Sequence, residues 1–301
     1  MQYNDNISLY YKTLMKDKYT AVWVSHSSIS DFLKCPRAYY LKNIYKDKKT
    51  GHKIQTANPY MSLGQAVHEV IESLSVIPTE RRFETPLIDR YEEAWKKVSG
   101  KKGGFANSSS ENEYKERGRK MLERVRNNPG PLKNKAVKID MDFPHFWLSE
   151  DENIILCGKI DWLEYFEDSD SVHIIDFKTS LDNKEDGESL QLPIYQLLVK
   201  NTQKREVTKA SYWYLEQDDL PSEKELPDYN ESFNKVLSLA RKIKLARQLE
   251  SFKCPNGEAG CRECRPFERI INGEGELVNQ IDKRDIYIIG YEEEKGDGTI
   301  L

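Results

Sequence analysis

The stretch Gly158–Ser180, GKIDWLEYFEDSDSVHIIDFKTS, constrains the fold of this chain more than any other. Aromatic and β-branched residues predict one strand over Ile154–Phe166 and a second over Val172–Thr179. The polar residues Glu167–Ser171 between them predict a tight turn. The sequence therefore predicts an antiparallel β-hairpin with an apolar second strand.

Charged side chains lie where this hairpin ends. Because side chains alternate along a strand, Asp176 and Lys178 share one face, and Asp161 on the first strand can face Asp176. Two carboxylates beside a lysine form an open oxygen-ligand site for Mg²⁺ or Mn²⁺. Such a site suits phosphodiester hydrolysis, because the metal activates a water and the lysine stabilises the transition state. The alternative is a surface hairpin with an Asp–Lys pair, since such pairs are common.

The composition fits a globular protein. The chain has 301 residues, of which 38% are hydrophobic and 32% charged, so it can form one large domain or two small ones. Its net charge of −4 argues against a surface covered in basic charge but allows a local basic channel. Because the sequence shows neither a signal peptide nor a membrane-spanning apolar run, we expect a cytoplasmic protein without membrane contact. A P-loop motif is also missing, so no ATPase of its own is expected.

Two predicted helices carry further polar residues. Ser62–Val76 has an apolar stripe at helical spacing and contains His68. A lone histidine on a helix is usually a partly buried, hydrogen-bonded residue, so His68 by itself indicates little. Glu188–Lys200 places Gln191 and Tyr195 on one face, four residues apart.

The cysteines form a pattern of their own. Cys254, Cys261 and Cys264 are spaced C-x₆-C-x₂-C in a loop-rich segment and can supply three thiolates to one metal site. The fourth ligand is either Cys35, at an abrupt break between helices, or Cys157, which a small buried hydrophobic residue would also explain. Zinc and a [4Fe–4S] cluster both accept four thiolates, and the spacing does not choose between them. Reduced thiols without a metal are the third possibility.

Five motifs occur in a fixed order along the chain. They are CPRAYYL, GQAVHEVIE, GKIDWLE, IIDFKTS with LQLPIY, and the late cysteines. Together they closely resemble the RecB-family nucleases of the PD-(D/E)xK superfamily, over roughly residues 25–270. The subgroup with one early and three late cysteines is most similar, and it includes the CRISPR-associated RecB-like nucleases and the AddB nuclease domain. The late cysteines depart from that subgroup, in which C-x₂-C precedes the third cysteine, whereas here C-x₂-C comes last.

The resemblance implies a role for each motif. His68, Asp161 and Asp176 match ligands of the catalytic metal, and Lys178 completes the D-x-K core. A Q-x-x-x-Y motif, associated with DNA binding and support of the active site, matches Gln191 and Tyr195. The resemblance also implies a [4Fe–4S] cluster, with zinc as the alternative, on four ligands: Cys35, Cys254, Cys261 and Cys264.

We therefore expect an α/β restriction-endonuclease-like fold. A mixed sheet from residues near 136–143, 154–166, 172–179 and 209–215 would be flanked by helices and joined by a cysteine-liganded metal staple. Residues 1–24 would form a lead-in, 25–271 the RecB-like nuclease domain, and 272–301 a C-terminal strand with an acidic tail.

The expected function is metal-dependent hydrolysis of DNA, by an exonuclease acting on single strands or DNA ends. The resemblance places such an enzyme in DNA repair, recombination or CRISPR adaptation, with a helicase or adaptation protein as partner. One alternative is a DNA-binding or scaffolding subunit of a larger complex, with little activity alone. Another is a zinc-stabilised structural protein in which the Asp–Lys hairpin has no catalytic role.

Overall fold

The computed structural model describes residues 18–180 and 189–290. Most of the expected lead-in and acidic tail lies outside these ranges, as does Glu188, where one helix was predicted to begin. The helices are α1 (His26–Lys34), α2 (Pro36–Asn43), α3 (Pro59–Ser73), α4 (Leu87–Lys96), α5 (Ser108–Asn127), α6 (Gln191–Thr202), α7 (Tyr229–Gln248) and α8 (Arg265–Ile271). The strands are β1 (Val22–Val24), β2 (Lys53–Thr56), β3 (His145–Ser149), β4 (Ile154–Cys157), β5 (Trp162–Phe166), β6 (Ser171–Lys178), β7 (Glu206–Tyr214), β8 (Ser222–Lys224), β9 (Gly275–Ile281) and β10 (Arg284–Ile289).

The strands form three sheets. The central sheet has the order β5-β6-β7-β8, with β6 antiparallel to β5 and parallel to β7. The other two have the orders β1-β4-β3 and β2-β10-β9. Strand β6 is buried along its length as far as Phe177, and apolar side chains project from both of its faces. The predicted α/β class, with mixed sheets flanked by helices, is confirmed.

The central sheet separates two hydrophobic cores. On one face, Val172 and Ile174 of β6 pack in the cluster that includes α6 and α7. On the other, Ile175 and Phe177 pack in the cluster that includes α3, α4 and α5. The alternation along β6 therefore assigns Asp176 to the α6 side and its neighbour Phe177 to the α3 side.

Two of the predicted strands were wrong. The strand predicted over Ile154–Phe166 is broken, because β4 ends at Cys157 and β5 begins at Trp162 in a different sheet. The strand predicted over Ala136–Phe143 is reduced to an isolated bridge between Ala136 and Glu164. The backbone N–H of Val137 still donates a hydrogen bond of 2.9 Å to the carbonyl of Leu163 in β5. From Ile139 onward that antiparallel register would lie opposite the break before β5, where no strand is available for pairing.

The predicted helices are present with shifted ends. Helix α3 begins at Pro59 rather than Ser62, because the side chain of Asn58 accepts a hydrogen bond from the backbone of Tyr60 and caps the helix. Helix α5 begins at Ser108, inside the Gly- and Ser-rich segment KKGGFANSSSENE. The side chain of Asn107 caps it, which composition alone did not indicate.

The C-terminal strands are joined to the N-terminal half of the chain. Strand β10 pairs with β2 in parallel and with β9 in antiparallel orientation. A third, smaller hydrophobic cluster lies beside this sheet and contains Ile54, Phe267 and three of the cysteines.

Among the helices of the described residues, none is both long enough and apolar enough to cross a lipid bilayer.

Candidate active site and cysteine cluster

The carboxylates of Asp161 and Asp176 lie close together at the end of β6. Trp162 pairs with Ile175, so Asp161, one residue before β5, is opposite Asp176. The Oδ2 atom of Asp161 accepts a hydrogen bond of 3.0 Å from the backbone N–H of Phe177. Asp176 is 2% exposed, so its carboxylate is held in a buried position. The predicted hairpin is therefore present here, and it places Asp161 opposite Asp176 as expected.

Helix α3 places His68 beside Asp161. The Nδ1 atom of His68 lies 3.4 Å from Oδ2 of Asp161, and its ring packs edge-on against Phe177 with centroids 6.0 Å apart. A Cβ atom on Gly64, one turn earlier, would lie 3.3 Å from Oγ1 of Thr179. The glycine therefore allows α3 to approach the residue that follows β6, and this approach positions His68.

A third carboxylate, Glu72, belongs to the same group, and the sequence analysis missed it. Its Oε1 atom lies 3.4 Å from Nδ1 of His68, one helical turn away, and it also pairs with Lys159. Donor atoms of His68, Glu72 and Asp161 all lie within 4.8 Å of one another. The i, i+4 spacing in GQAVHEVIE was a usable signal, since such residues share a helix face.

The charges of these groups depend on one another. Burial alone would lower the pKa of His68, but the carboxylates of Asp161 and Glu72 outweigh burial and raise it to about 10. Burial and the charge of Asp161 raise the pKa of Asp176 to about 7, although Lys178 opposes this. Burial alone would also raise the pKa of Asp161, but His68 and the backbone N–H of Phe177 lower it. The raised pKa of His68 therefore reflects its pairing with two carboxylates, and the raised pKa of Asp176 reflects its burial beside Asp161.

Lys178 and Asp176 are held by one amide. The Nε2 atom of Gln191 donates 2.7 Å to Oδ1 of Asp176, while its Oε1 accepts 2.5 Å from Nζ of Lys178. Nζ of Lys178 also lies 3.0 Å from Oδ2 of Asp176 and 4.9 Å from the ring centroid of Tyr212. Gln191 further donates 3.2 Å to the hydroxyl of Tyr195. The predicted pair of Gln191 and Tyr195 thus faces the site from the first turns of α6.

A cleft of about 590 Å³ opens on the α3 side of the site. His68, Glu72 and Asp161 lie on its wall, and residues 137–144 form another side. Lys138 and Lys159 line it together with the carboxylates of Glu69 and Asp142 and with apolar side chains.

The donor set of this site fits a divalent cation. An imidazole nitrogen and two carboxylates within 4.8 Å of one another supply mixed nitrogen and oxygen ligands. The buried Asp176 and the cleft lie next to this set. The cleft beside His68, Glu72 and Asp161 leaves space for further ligands of such an ion.

Four cysteines come together at a second place. The sulfur atoms of Cys35, Cys254, Cys261 and Cys264 all lie within 4.8 Å of one another. Cys35 lies between α1 and α2, where its backbone ends the first helix and its sulfur accepts a hydrogen bond from the backbone N–H of Ala38. The predicted grouping of one early and three late cysteines is therefore present, and it can hold a metal.

Cys157 is not part of this group. Its thiol donates a hydrogen bond of 3.3 Å to the backbone carbonyl of Val24. Burial raises the pKa of the Cys157 thiol to about 12, as expected for a small buried hydrophobic residue. Of the two residues considered as a fourth ligand, Cys35 is the one near the late cysteines.

The mixed sheet with a D-x-K sequence at the end of its central strand is the arrangement of a nuclease fold. Residues 23–269 match the PD-(D/E)XK nuclease superfamily, and the chain belongs to this superfamily. A comparison with curated proteins found no matching relative.

Proposed function

We propose that this protein is a metal-dependent deoxyribonuclease that hydrolyses phosphodiester bonds. The observation that carries the proposal is the convergence of His68, Asp161, Asp176 and Lys178 at one edge of the central sheet, in a chain of a nuclease superfamily. An incidental surface hairpin does not account for this convergence. Asp176 is buried, and burying a carboxylate without a functional or structural partner is costly.

His68, Asp161 and Glu72 are the groups that would hold Mg²⁺ or Mn²⁺, with Asp176 next to them. The bound ion would supply an activated water and neutralise charge on the phosphate. Asp161 is fixed for this task by the N–H of Phe177, and His68 by α3. Because His68 carries a proton when no metal is present, that proton must leave when Nδ1 becomes a ligand.

Lys178 would orient the attacking water and stabilise negative charge on the phosphate. Its ammonium is a donor, and two of its contacts, to Gln191 and Asp176, hold it at the end of β6. Gln191 acts through these two residues, because its amide holds both in one geometry. Fixed donors of this kind are effective because they need no reorganisation in the transition state.

The cleft supports a single-stranded substrate or a frayed DNA end. Its volume of about 590 Å³ lies within the usual range of about 300–1,000 Å³ for a small-ligand site. Such a cleft admits one or two nucleotides more readily than a duplex. The exonuclease mode agrees with this, and it otherwise rests on the resemblance of the sequence to RecB-family nucleases.

The pathway and the partner rest on that resemblance alone. A role in DNA repair, recombination or CRISPR adaptation, a helicase or adaptation partner, and a place in the cytoplasm remain parts of the proposal. The scaffolding alternative predicts DNA binding without cleavage, so the experiment below separates it from the enzyme.

The test is a nuclease assay on end-labelled single- and double-stranded DNA with Mg²⁺ or Mn²⁺. Wild type is compared with Lys178→Ala and with Lys209→Ala, whose lysine pairs with Glu223 near the exposed end of β7. We expect cleavage by wild type and Lys209→Ala, none by Lys178→Ala, and none with a chelator. Mononucleotides released from one end would support an exonuclease. Tight binding by wild type without cleavage would overturn the enzyme in favour of the scaffold.

A further inference from the structure

The distances between the four thiols carry information about which metal they bind. The sulfur of Cys264 lies 3.8 Å from that of Cys261 and 3.8 Å from that of Cys254. No pair in the group of four exceeds 4.8 Å. These distances can be compared with the geometry that each candidate metal centre requires.

Zinc bound by thiolates is tetrahedral, and a Zn–S bond of about 2.3 Å gives the tetrahedron an edge of about 3.8 Å. In a [4Fe–4S] cluster each thiolate binds a different iron atom. Two cysteine sulfurs are then separated by an iron–iron edge in addition to two Fe–S bonds, so they cannot approach as closely. The sulfur positions therefore do not fit the cluster that the sequence resemblance implies, whereas they fit one ion.

We infer that Cys35, Cys254, Cys261 and Cys264 bind a single tetrahedral zinc ion. The site has the character of a closed structural one. Cys35, Cys254 and Cys264 are buried and Cys261 is partly buried, and all four donors are thiols. On binding, the thiols release their protons to solvent and all four sulfurs coordinate as thiolates. The inference is independent of whether the protein cleaves DNA.

The surroundings of the sulfurs are built to hold thiolates. Backbone N–H groups of Ala38, Asn256 and Cys261 donate hydrogen bonds to Cys35, Cys254 and Cys264 respectively. Such donors stabilise negative sulfur and orient the ligands. Gly260 has a φ of +73°, and a Cβ atom there would lie 3.2 Å from the sulfur of Cys264. It would also lie 2.8 Å from Oε2 of Glu268, so the left-handed backbone and the close contacts both favour glycine at this position.

Arg37 completes the site electrostatically. A zinc ion with four thiolates carries a net charge of −2. The guanidinium of Arg37 is a cation close to this site. Its guanidinium donates hydrogen bonds of 3.0 and 3.1 Å to the backbone carbonyls of Gly257 and Glu258, in the loop between the late cysteines. It also pairs with Glu268 of α8 at 2.9 Å. Helix α2 thereby contacts the metal-binding loop through a charged side chain as well as through Cys35.

The ion would act as a structural link. The hydrophobic cluster around it is the smallest of the three and joins α2, β2 and α8, which are distant in sequence. A small core gains stability from a bound metal, because the metal binds only the folded arrangement of its ligands. Since zinc has no redox chemistry, this site would not transfer electrons.

The experiment is anaerobic purification from cells supplied with both iron and zinc, followed by metal and sulfide analysis and visible spectroscopy. Variants are Cys35→Ser, Cys157→Ser and Asp161→Asn. Cys157→Ser is the matched control, because its thiol is buried elsewhere. Asp161→Asn accounts for zinc that enters the candidate active site.

We expect about one zinc per chain and no cluster absorption in wild type, Cys157→Ser and Asp161→Asn, and at most about a tenth of that zinc in Cys35→Ser. Cobalt added to metal-free wild type should give the visible bands of a tetrahedral thiolate site. The cobalt spectrum decides the question even if Cys35→Ser does not fold. Iron and sulfide in equal amounts at about four per chain, with a brown colour, would overturn the inference, as would a protein without bound metal.

Discussion

Gln191 donates a hydrogen bond of 2.7 Å from Nε2 to Oδ1 of Asp176, across the space between α6 and β6. The same amide accepts a hydrogen bond from Lys178. The acidic and basic members of the D-x-K sequence are therefore fixed by a residue from another element. The predictions below follow from contacts of this kind between elements.

Gln191→Ala should lower kcat for DNA cleavage by about 10–100-fold, because the supports of a metal site usually contribute this much. Asp176 and Lys178 remain present, so activity should fall without disappearing. Gln196→Ala, one turn further along α6, serves as the control and should leave kcat within about twofold of wild type. Equal kcat values for both variants would show that the amide does not position the site.

Glu72→Gln should weaken Mn²⁺ binding by about tenfold or more, because it removes a charged ligand from the group with His68 and Asp161. Glu69→Gln is the matched control, since Glu69 lines the same cleft but pairs with Lys97 at 2.5 Å. Isothermal titration of Mn²⁺ into the DNA-free protein measures both. If the two variants bind Mn²⁺ equally well, Glu72 is not a ligand.

Gly118→Ala should destabilise the fold by about 1–3 kcal/mol. A Cβ atom on Gly118 would lie 2.1 Å from the hydroxyl oxygen of Tyr91, and this tyrosine is fully buried. Alanine improves helix propensity by about 1 kcal/mol, but the overlap with a buried ring outweighs that gain. Urea unfolding measures the free energy, with the exposed position Lys120→Ala as a control expected within about 0.5 kcal/mol of wild type. An unchanged Gly118→Ala variant would show that α4 and α5 pack less closely.

Asp285 should contribute stability that is lost in acid. Burial alone would raise the pKa of Asp285, but hydrogen bonds from Thr50, His52 and Gln280 outweigh burial and lower it. A group with a lowered folded pKa stabilises the fold fully above its unfolded pKa of about 4 and loses this effect as pH falls through the folded value.

Comparison of wild type with Asp285→Asn tests this pH dependence. The variant should be less stable at pH 6 in urea unfolding, and the difference between the two proteins should shrink as the pH falls below about 4. Taking the difference removes any pH effect on metal binding, which both proteins share. A constant difference from pH 6 to pH 3 would contradict the linkage.

Local sequence patterns specify much of the secondary structure around the site. The hairpin of β5 and β6, the shared face of Asp176 and Lys178, and helix α3 follow from periodicities of two and 3.6 residues, which require only neighbouring residues. Even the pairing of Asp161 with Asp176 is nearly local, because a tight turn sets the register of a hairpin. The order of the motifs along the chain also indicates the superfamily.

Tertiary packing decided the rest. The break between β4 and β5, the parallel pairing of β2 with β10, and the contact of His68 with Asp161 join residues that no local pattern connects. The distances between the four sulfur atoms could not be predicted from the sequence either, because the spacing C-x₆-C-x₂-C suits both zinc and a cluster. Cβ positions and sulfur separations depend on how helices pack in three dimensions. That packing is set by the sum of many contacts, so it was visible only in the folded chain.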